Sequence, residues 1–401
     1  MVTPSHPRVA IASAVRTPVG KYLGSLRSVP ATTLGTLAAR AAIERAHLSA
    51  SDVEDVLMGQ AILANAGQNP ARQVGRGAGI PDSAGATTIS MVCGSGMKSV
   101  HLAAAEIRSG EAKIVLAGGM ESMSRAPYLL PPDLRWGTHF GDQVVVDAMQ
   151  HDSLRDAYDD HELMGFTGER IAAKFHLGRE EIDAYAVRSN HRAAESTRTG
   201  ASRREIVEVP SAIVPGAPGL VTDECVRPET TLEGLAHLRP AFRPDGVLTA
   251  GNSSKLSDGA AALVLMAESE VIERGVPPLG WLHSSCVSGV HPSDVMESPI
   301  PTVRKHLAAV GLSIESFDRV EHNEAYASAS LAFQRTFRIP DDRFNVLGGA
   351  VSIGHPIGAS GARLLVTLTH QLAALNGHLG LATLCMGGGN GLSTILERDA
   401  S

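Results

Sequence analysis

The sequence predicts an α/β protein made of two related halves with an inserted loop region, and three observations support this fold class. Strand-like apolar runs alternate with helical patterns, a proline-rich charged region interrupts them, and the order of elements around two glycine-rich corners is repeated. The chain has 401 residues, of which 43% are hydrophobic and 19% charged. This composition allows a sizeable core and is typical of more than one lobe.

Charge, cysteine spacing and hydropathy exclude several kinds of function. The formal net charge of −7 argues against a nucleic-acid partner, which normally meets a concentrated basic face. Four cysteines lie far apart without a CxxC pair, so neither a disulfide framework nor a metal site is predicted. No stretch approaches the roughly 18 apolar residues of a membrane span, and the N-terminus lacks the form of a signal peptide. We therefore expect a cytoplasmic protein with no membrane contact.

The first half begins with segments typical of a helix-covered sheet. Apolar runs alternate with helical spacing, and Asn69-Pro70 places a proline in the first turn of a helix. We predict strands at 8–14, 55–63 and 113–121 and helices at 33–47 and 69–76. This alternation predicts a largely parallel sheet that is covered by helices.

A glycine-rich corner around Cys93 interrupts this half. The β-branched run 87–89 leads to Cys93, Gly94-Ser95-Gly96 turns the chain, and 97–109 has helical spacing. The pKa of a thiol at a helix N-terminus can fall from about 8.5 to roughly 3.5–7.5, because free N–H groups and the helix dipole favour an anion. Cys93 is therefore a candidate nucleophile. At this point a small buried cysteine beside close-packed glycines is the alternative.

The region 122–242 differs from its flanks because it is rich in proline and charge. We predict helices at 168–175 and 180–196 and a strand at 205–214 within it. Long loops on an α/β scaffold commonly cover or build a binding cleft, and a purely structural excursion is the alternative.

The α/β pattern returns in the second half. We predict strands at 259–266, 280–287, 319–321, 379–386 and 392–397 and helices at 301–310, from Ala325, and at 362–375. We assign the first half to 1–121, continuing at about 243–267, the inserted region to 122–242, and the second half to 268–401.

The two halves share an order of elements. Cys93 precedes a helix and a strand that ends 25 residues later at Gly118, and His355 precedes a helix and a strand followed 32 residues later by Gly387. Related halves of this kind can each present a corner to a shared cleft. We therefore expect Cys93 and His355 to face each other.

The second-half corner carries groups that would complement a thiol. A neutral imidazole commonly accepts the proton of a nucleophilic cysteine, and His355 is held between Gly354 and Pro356, a setting typical of an aimed side chain. Cys385 ends an apolar strand before Gly387-Gly388-Gly389, and glycines leave backbone N–H groups accessible to an oxyanion. Close packing or a nucleotide loop is the alternative, although the spacing lacks a dinucleotide fingerprint.

Four motifs together closely resemble the thiolase family: VCGSG around Cys93, NEA from Asn323, GGAVSIGHPIGASGAR around His355 and CMGGG at Cys385. The resemblance implies two related α/β halves with mixed, helix-covered sheets, commonly assembled as a homodimer or homotetramer. It also implies ping-pong acyl transfer between coenzyme A (CoA) thioesters, with CoA and acyl-CoA as substrates and no permanently bound cofactor.

The resemblance also assigns roles to individual residues. Cys93 would be the acylated nucleophile, His355 its activating base, and Cys385 the group that moves the α-proton of the second acyl-CoA. The N–H groups of Cys93 and Gly387 would form one oxyanion hole, and His355 with a water held by Asn323 the other. The positions that match CoA and acyl contacts of the family are Ser254, Arg227, Leu238, Phe242 and Met164.

Some positions depart from the family pattern around the substrate. The departures are Leu163, Lys255, Glu297, His322 and Leu347. They leave the acyl chain length open while the catalytic set is intact. We expect an acetyl-CoA acetyltransferase acting on acetyl-CoA, other acyl-CoA or 3-ketoacyl-CoA; the alternatives are a degradative 3-ketoacyl-CoA thiolase for longer chains and a non-catalytic acyl-CoA-binding subunit.

Overall fold

Strands and helices alternate along residues 7–137, 140–158, 161–214, 216 and 218–399, which are the residues that this computed structural model describes. The strands are β1 (Val9–Arg16), β2 (Gly20–Lys21), β3 (Asp55–Gly59), β4 (Gly85–Ile89), β5 (Ile114–Ser122), β6 (Tyr128–Leu129), β7 (Val146–Asp147), β8 (Val209–Pro210), β9 (Gly219–Leu220), β10 (Ser257–Ala267), β11 (Gly280–Gly289), β12 (Arg319–His322), β13 (Leu379–Met386) and β14 (Asn390–Glu397). The helices are α1 (Ala31–Arg45), α2 (Pro70–Ala78), α3 (Ser95–Ser109), α4 (Met164–Lys174), α5 (Arg179–Thr199), α6 (Leu232–Ala236), α7 (Glu268–Arg274), α8 (Pro299–Val310), α9 (Ala327–Phe337), α10 (Ala350–Ile353) and α11 (Ile357–Leu375).

Ten of these strands form one mixed sheet, in the order β12-β13-β14-β11-β1-β10-β5-β3-β4 with β2 also paired to β10. The α/β class is confirmed, but the expectation of a largely parallel sheet is wrong. Only β3–β4, β3–β5 and β12–β13 are parallel among these described pairs. The main reason is that β10 returns antiparallel between β1 and β5, while the short turn between β13 and β14 permits only an antiparallel pair.

Within the large sheet, the group β1, β3, β4, β5 and β10 meets the group β11–β14 at a narrow seam, and the two groups share a central helix pair. Strands β1 and β11 pair only through Ala10 with Trp281 and Ile11 with Gly280. Helices α3 and α11 contact each other, and their apolar side chains belong to one buried cluster with strands of both halves. The helices α1 and α2 pack on the outer face of the first half. The N-termini of α3 and α11 therefore come together at the centre of the molecule.

The inserted region packs mainly on the second half. Apolar side chains of α4, α5 and α6 belong to one cluster with those of α8, α9 and β13. The strand predicted at 205–214 is wrong except for the two residues of β8, which pair with β9. Its physical reason is Pro210, which has no N–H to donate to a ladder. Among the described residues, no helix has the length and apolar character needed to cross a bilayer.

Candidate active site

The corner at Cys93 is held in a single conformation by local hydrogen bonds. A short 3₁₀ turn, Val92–Gly94, separates β4 from α3, and Val92 has a φ of +45°, which β-branched residues rarely adopt. The Ser95 hydroxyl accepts the N–H of Met91 at 2.8 Å and donates to the carbonyl of Val92 at 2.7 Å. These contacts close the turn around Cys93 and fix the direction of its side chain.

His355 lies opposite Cys93, just before α11. A Cβ at Gly354, whose φ is +109°, would overlap the Ser257 hydroxyl, so only glycine fits this approach. The backbone N–H of His355 donates to the carbonyl of Lys255 at 2.8 Å. Its Nε2 lies 3.3 Å from the Sγ of Cys93. The structure therefore brings the two predicted corners together.

The hydrogen bonds of Ser360 assign the tautomer of His355. The Ser360 hydroxyl lies 2.6 Å from His355 Nδ1 and donates its proton to the carbonyl of Pro356 at 2.9 Å. Since its only proton is used there, it accepts from Nδ1–H. The lone pair of Nε2 then faces Cys93, which is the arrangement that a base for the thiol requires.

Burial keeps both members of this pair neutral. It lowers the pKa of His355 to about 3. Burial, with the neighbouring Cys385, raises the pKa of the Cys93 thiol above its usual value, against hydrogen bonds from backbone N–H groups. The expected fall of the thiol pKa at a helix N-terminus is therefore wrong, because desolvation outweighs the helix end. The proton can pass to His355 as the sulfur attacks.

Cys385 and Gly387 complete the cluster from the end of β13. Burial raises the pKa of Cys385 to about 12, and its Sγ lies 3.6 Å from the Sδ of Met296. The backbone N–H groups of Gly387 and of Cys93 itself act to lower the pKa of the Cys93 thiol, against the larger effect of burial. Two N–H donors thus converge where a substrate oxygen could lie beside the attacking sulfur.

These groups open into one small cavity of about 50 Å³. The predicted residues that line it are Cys93, His355, Cys385, Gly387, Met164 and Ser254. The rest of its wall is mainly apolar and includes Leu154, Val295, Met296 and Tyr326, together with the polar Ser153. A chamber of this size encloses the reacting end of a ligand and leaves the remainder outside.

Asn323 directly follows β12 and is fully buried beside this site's strands. Its backbone N–H donates to the carbonyl of Thr383 at 3.0 Å. Within the described part of the chain, neither its amide oxygen nor its amide nitrogen has a hydrogen-bond partner. A buried carboxamide with both polar atoms unpaired is suited to hold a small polar molecule.

A second cavity of about 350 Å³ contains two of the predicted CoA contacts, Arg227 and Leu238, together with Lys255. Lys255 directly follows Ser254, which lines the smaller cavity. Phe242 lines neither cavity: its ring lies edge-on to Tyr326 at 5.9 Å and occupies the space left by the missing Cβ of Gly165. The structure therefore does not bring Phe242 together with the other predicted CoA contacts.

The other departures from the family pattern have separate surroundings. Glu297 forms an ion pair with Lys174, and His322 is stacked on Phe333 with its Nδ1 2.9 Å from Ser330. Leu163 precedes α4 outside both cavities, and Leu347 lines another cavity of about 260 Å³ that shares no residue with the two above.

Sequence reasoning missed Glu121. Its buried carboxylate, at the end of β5, accepts the N–H groups of Ala61 at 2.9 Å, Ile62 at 3.4 Å and Gly358 at 3.0 Å. Burial raises the pKa of Glu121 to about 7. The carboxylate joins the first half to the first turn of α11, close to His355. The signal in the sequence is a lone acidic residue at the end of an apolar strand.

The site defines a class of enzyme. The site contains a thiol paired with a neutral imidazole, a second thiol and converging N–H donors. These groups together are suited to transfer an acyl group through a cysteine nucleophile. Within residues 7–399 as described, no cluster of His, Cys, Asp and Glu is arranged to hold a metal ion.

Comparison with known proteins gives the family: the chain belongs to the thiolases. The family models "Thiolase, N-terminal domain" and "Thiolase, C-terminal domain" match residues 9–269 and 276–398. The chain is 45% identical over 392 residues to an acetyl-CoA acetyltransferase of Pseudomonas aeruginosa, covering 98% of this chain and 99% of that protein. It is 43% identical over 394 residues to one of Chromobacterium violaceum, with coverages of 97% and 99%.

A solved structure extends the similarity to the fold. The crystal structure of human mitochondrial 3-ketoacyl-CoA thiolase in complex with CoA is 37% identical, has a TM-score of 0.94, and is matched over 98% of both chains.

Proposed function

We propose that this chain is an acetyl-CoA acetyltransferase, which condenses two acetyl-CoA molecules to acetoacetyl-CoA and CoA, or catalyses the reverse thiolysis. The observation that carries the proposal is the 3.3 Å contact between Cys93 Sγ and His355 Nε2 in a cavity that also holds Cys385. The names of the two relatives agree with it, and the 3-ketoacyl-CoA thiolase with bound CoA supports a CoA thioester as the substrate.

In the first step, Cys93 accepts the acetyl group. His355 Nε2 takes the thiol proton as the sulfur attacks the thioester carbonyl, and the N–H groups of Cys93 and Gly387 stabilise the oxyanion. The carbon–sulfur bond to CoA breaks, and the proton on His355 passes to the leaving CoA thiolate. The products of this step are acetyl-Cys93 and free CoA.

In the second step, Cys385 passes its thiol proton to His355 Nε2 within the same cavity, and the resulting thiolate removes an α-proton from a second acetyl-CoA. The enolate oxygen is stabilised by His355 and by a water held by Asn323, whose unpaired amide atoms suit this role. The enolate carbon attacks the acetyl carbonyl, the bond to Cys93 breaks, and acetoacetyl-CoA forms. His355 then gives its proton to the Cys93 thiolate, while Cys385 keeps the α-proton, so both thiols and the neutral imidazole are restored.

The size of the cavity favours a short acyl group. A volume of about 50 Å³ is far below the roughly 300 Å³ or more of an ordinary ligand pocket, so it admits an acetyl unit and little more. The CoA portion would occupy the larger cavity, with Ser254 between the two. We therefore place CoA among the substrates. A homo-oligomeric cytoplasmic enzyme is the form we propose, and light scattering tests its assembly.

Mass spectrometry of the protein after incubation with acetyl-CoA tests this function. We expect one acetyl group on Cys93 in the wild type and in Cys286→Ala, since Cys286 lies on β11 outside the cavity. Cys93→Ala would remain unmodified and lose thiolysis. Undiminished thiolysis by Cys93→Ala would refute the mechanism.

A panel of 3-ketoacyl-CoA substrates separates the chain-length alternatives. We expect kcat/KM to fall as the chain grows beyond acetoacetyl-CoA, because Leu154, Val295 and Met296 close the cavity. A maximum at long chains would favour the degradative thiolase. No turnover and no acylation with any thioester would favour a non-catalytic acyl-CoA-binding subunit.

A further inference from the structure

Lys255 is a cation at a position where the resemblance leads us to expect a small residue. Its backbone belongs to the catalytic corner, because its carbonyl accepts the N–H of His355 at 2.8 Å and the hydroxyl of Ser257 at 2.7 Å. Its side chain, in contrast, lines the 350 Å³ cavity. Lys255 therefore lies where the two cavities approach each other, next to Ser254.

The ammonium group of Lys255 is held in place by backbone carbonyls, and no acidic side chain of the described residues pairs with it. Its Nζ donates to the carbonyls of Ala250 and, at 3.0 Å, Ser253. An ammonium has three N–H donors, so one remains for a ligand. The side chain is therefore directed before any ligand binds.

A second cation lines the same cavity. Within the described residues, neither Arg227 nor Lys255 forms an ion pair, although the exposed Glu229 also lines the cavity. Burial and the charge of Arg227 lower the pKa of Lys255 to about 8. Two cations without a counter-ion repel each other, and a bound anion would relieve that repulsion.

We propose that Lys255 binds a phosphate group of CoA and thereby makes the enzyme prefer CoA thioesters to thioesters of unphosphorylated pantetheine. This proposal rests on the proposed function. A thioester held in the small cavity extends past Ser254 into the larger one, where the anionic part of CoA meets Lys255 and Arg227. The pantetheine arm is uncharged, so the phosphates are the groups of CoA that can neutralise these two cations.

A purely structural role for Lys255 has a different consequence. If the side chain only ties the carbonyls of Ala250 and Ser253 together, its loss disturbs the neighbouring Ser254 for every thioester alike. If it binds phosphate, its loss affects only substrates that carry phosphate. The two roles can therefore be distinguished by comparing substrates with and without phosphate, whereas activity with one substrate would not distinguish them.

The test measures the second-order rate of Cys93 acylation by acetyl-CoA and by S-acetyl-pantetheine, with mass spectrometry as the readout. We expect Lys255→Met to reduce the rate with acetyl-CoA about tenfold and to change the rate with S-acetyl-pantetheine less than twofold. Lys255→Arg, which keeps the charge, should retain most of the preference. Lys305→Met removes a charge from the exposed face of α8 and should match the wild type with both thioesters.

Two results would overturn the phosphate role. Equal losses with both thioesters would assign Lys255 to loop structure, and an unchanged rate with acetyl-CoA would remove it from substrate recognition. Failure of the proposed function is distinct, because folded wild-type protein would then be acylated by neither thioester.

Discussion

Gly361→Ala should separate the two catalytic corners by moving α11 away from α3. A Cβ at Gly361 would lie 2.5 Å from the backbone nitrogen of Met97 and 2.7 Å from its Cβ. Real Cβ atoms essentially never approach within 3.0 Å, and ordinary contact begins at 3.4 Å. The helices must therefore move apart by about 0.5 to 0.9 Å. The same movement can lengthen the 3.3 Å contact between Cys93 and His355 to about 4 Å.

The expected loss follows from that displacement. Misplacing reacting groups by about 1 Å can reduce the rate about 100-fold, so we expect kcat for acetoacetyl-CoA thiolysis to fall by about that factor. Overpacking costs about 1–3 kcal/mol of the free energy of unfolding, and the better helix propensity of alanine offsets about 1 kcal/mol. Gly358→Ala, with a nearest Cβ distance of 2.6 Å, should show a similar but smaller loss.

A control without a clash is available at Gly178, the N-cap of α5, where the nearest atom to a Cβ is 4.0 Å away. We expect Gly178→Ala to keep full thiolysis activity and to lose only about 0.5–1 kcal/mol of the free energy of unfolding, since alanine is a poorer N-cap than glycine. The assay is steady-state thiolysis, accompanied by chemical unfolding of each variant. The reasoning is refuted if Gly361→Ala is as active as the wild type and more stable, since that is the result for glycine in an unobstructed helix.

Three further predictions concern charge and protonation. Asn323→Asp should lower kcat about 100-fold with little change in KM, since a buried carboxylate opposes an enolate; unchanged kcat contradicts the role of this amide. Cys385→Ser should still form acetyl-Cys93, as seen by mass spectrometry, but should lose condensation. Loss of acylation as well would contradict the assignment of Cys385 to the second step alone. Burial lowers the pKa of His101 and His322 to about 3, so stability is present above pH 6.5 and is lost as the pH falls. In urea titrations, the free energy of unfolding should fall between pH 7 and pH 5 by about 2 kcal/mol for each of these two histidines. The His322→Gln variant should show a fall that is smaller by about 2 kcal/mol, and a fall as large as that of the wild type would contradict the prediction for His322.

Many of the strands could be predicted from the apolar pattern of the sequence. The apolar runs that became β1, β5, β10 and β13 have an unambiguous pattern because they are buried on both faces. Strand direction was not accessible, because the position of β10 between β1 and β5 depends on where the chain returns after the inserted region. Local pattern does not encode that return.

The residues of the candidate site could be predicted from the sequence, but their pKa shifts could not. The repeated corners indicated that Cys93 and His355 meet, because each corner is a local motif at a helix N-terminus. The predicted direction of the shift in the pKa of Cys93 was wrong, because desolvation raises this pKa and depends on the surrounding packing and not on the helix end. Glu121 was missed for a similar reason: its three N–H donors come from two distant segments.

The close approach of α3 and α11 also explains how two distant segments of the chain supply the proposed catalytic pair, Cys93 and His355. Each corner supplies one reacting group, and each depends on small residues of the other half: a Cβ at Gly96 would lie 2.8 Å from the carbonyl oxygen of Gly358, and one at Gly361 would meet Met97. The distance between sulfur and imidazole is therefore set by backbone contact and not by flexible side chains. Consequently, adding a Cβ at a glycine of the contact between α3 and α11 should disturb the pair, whichever of the two helices carries the change.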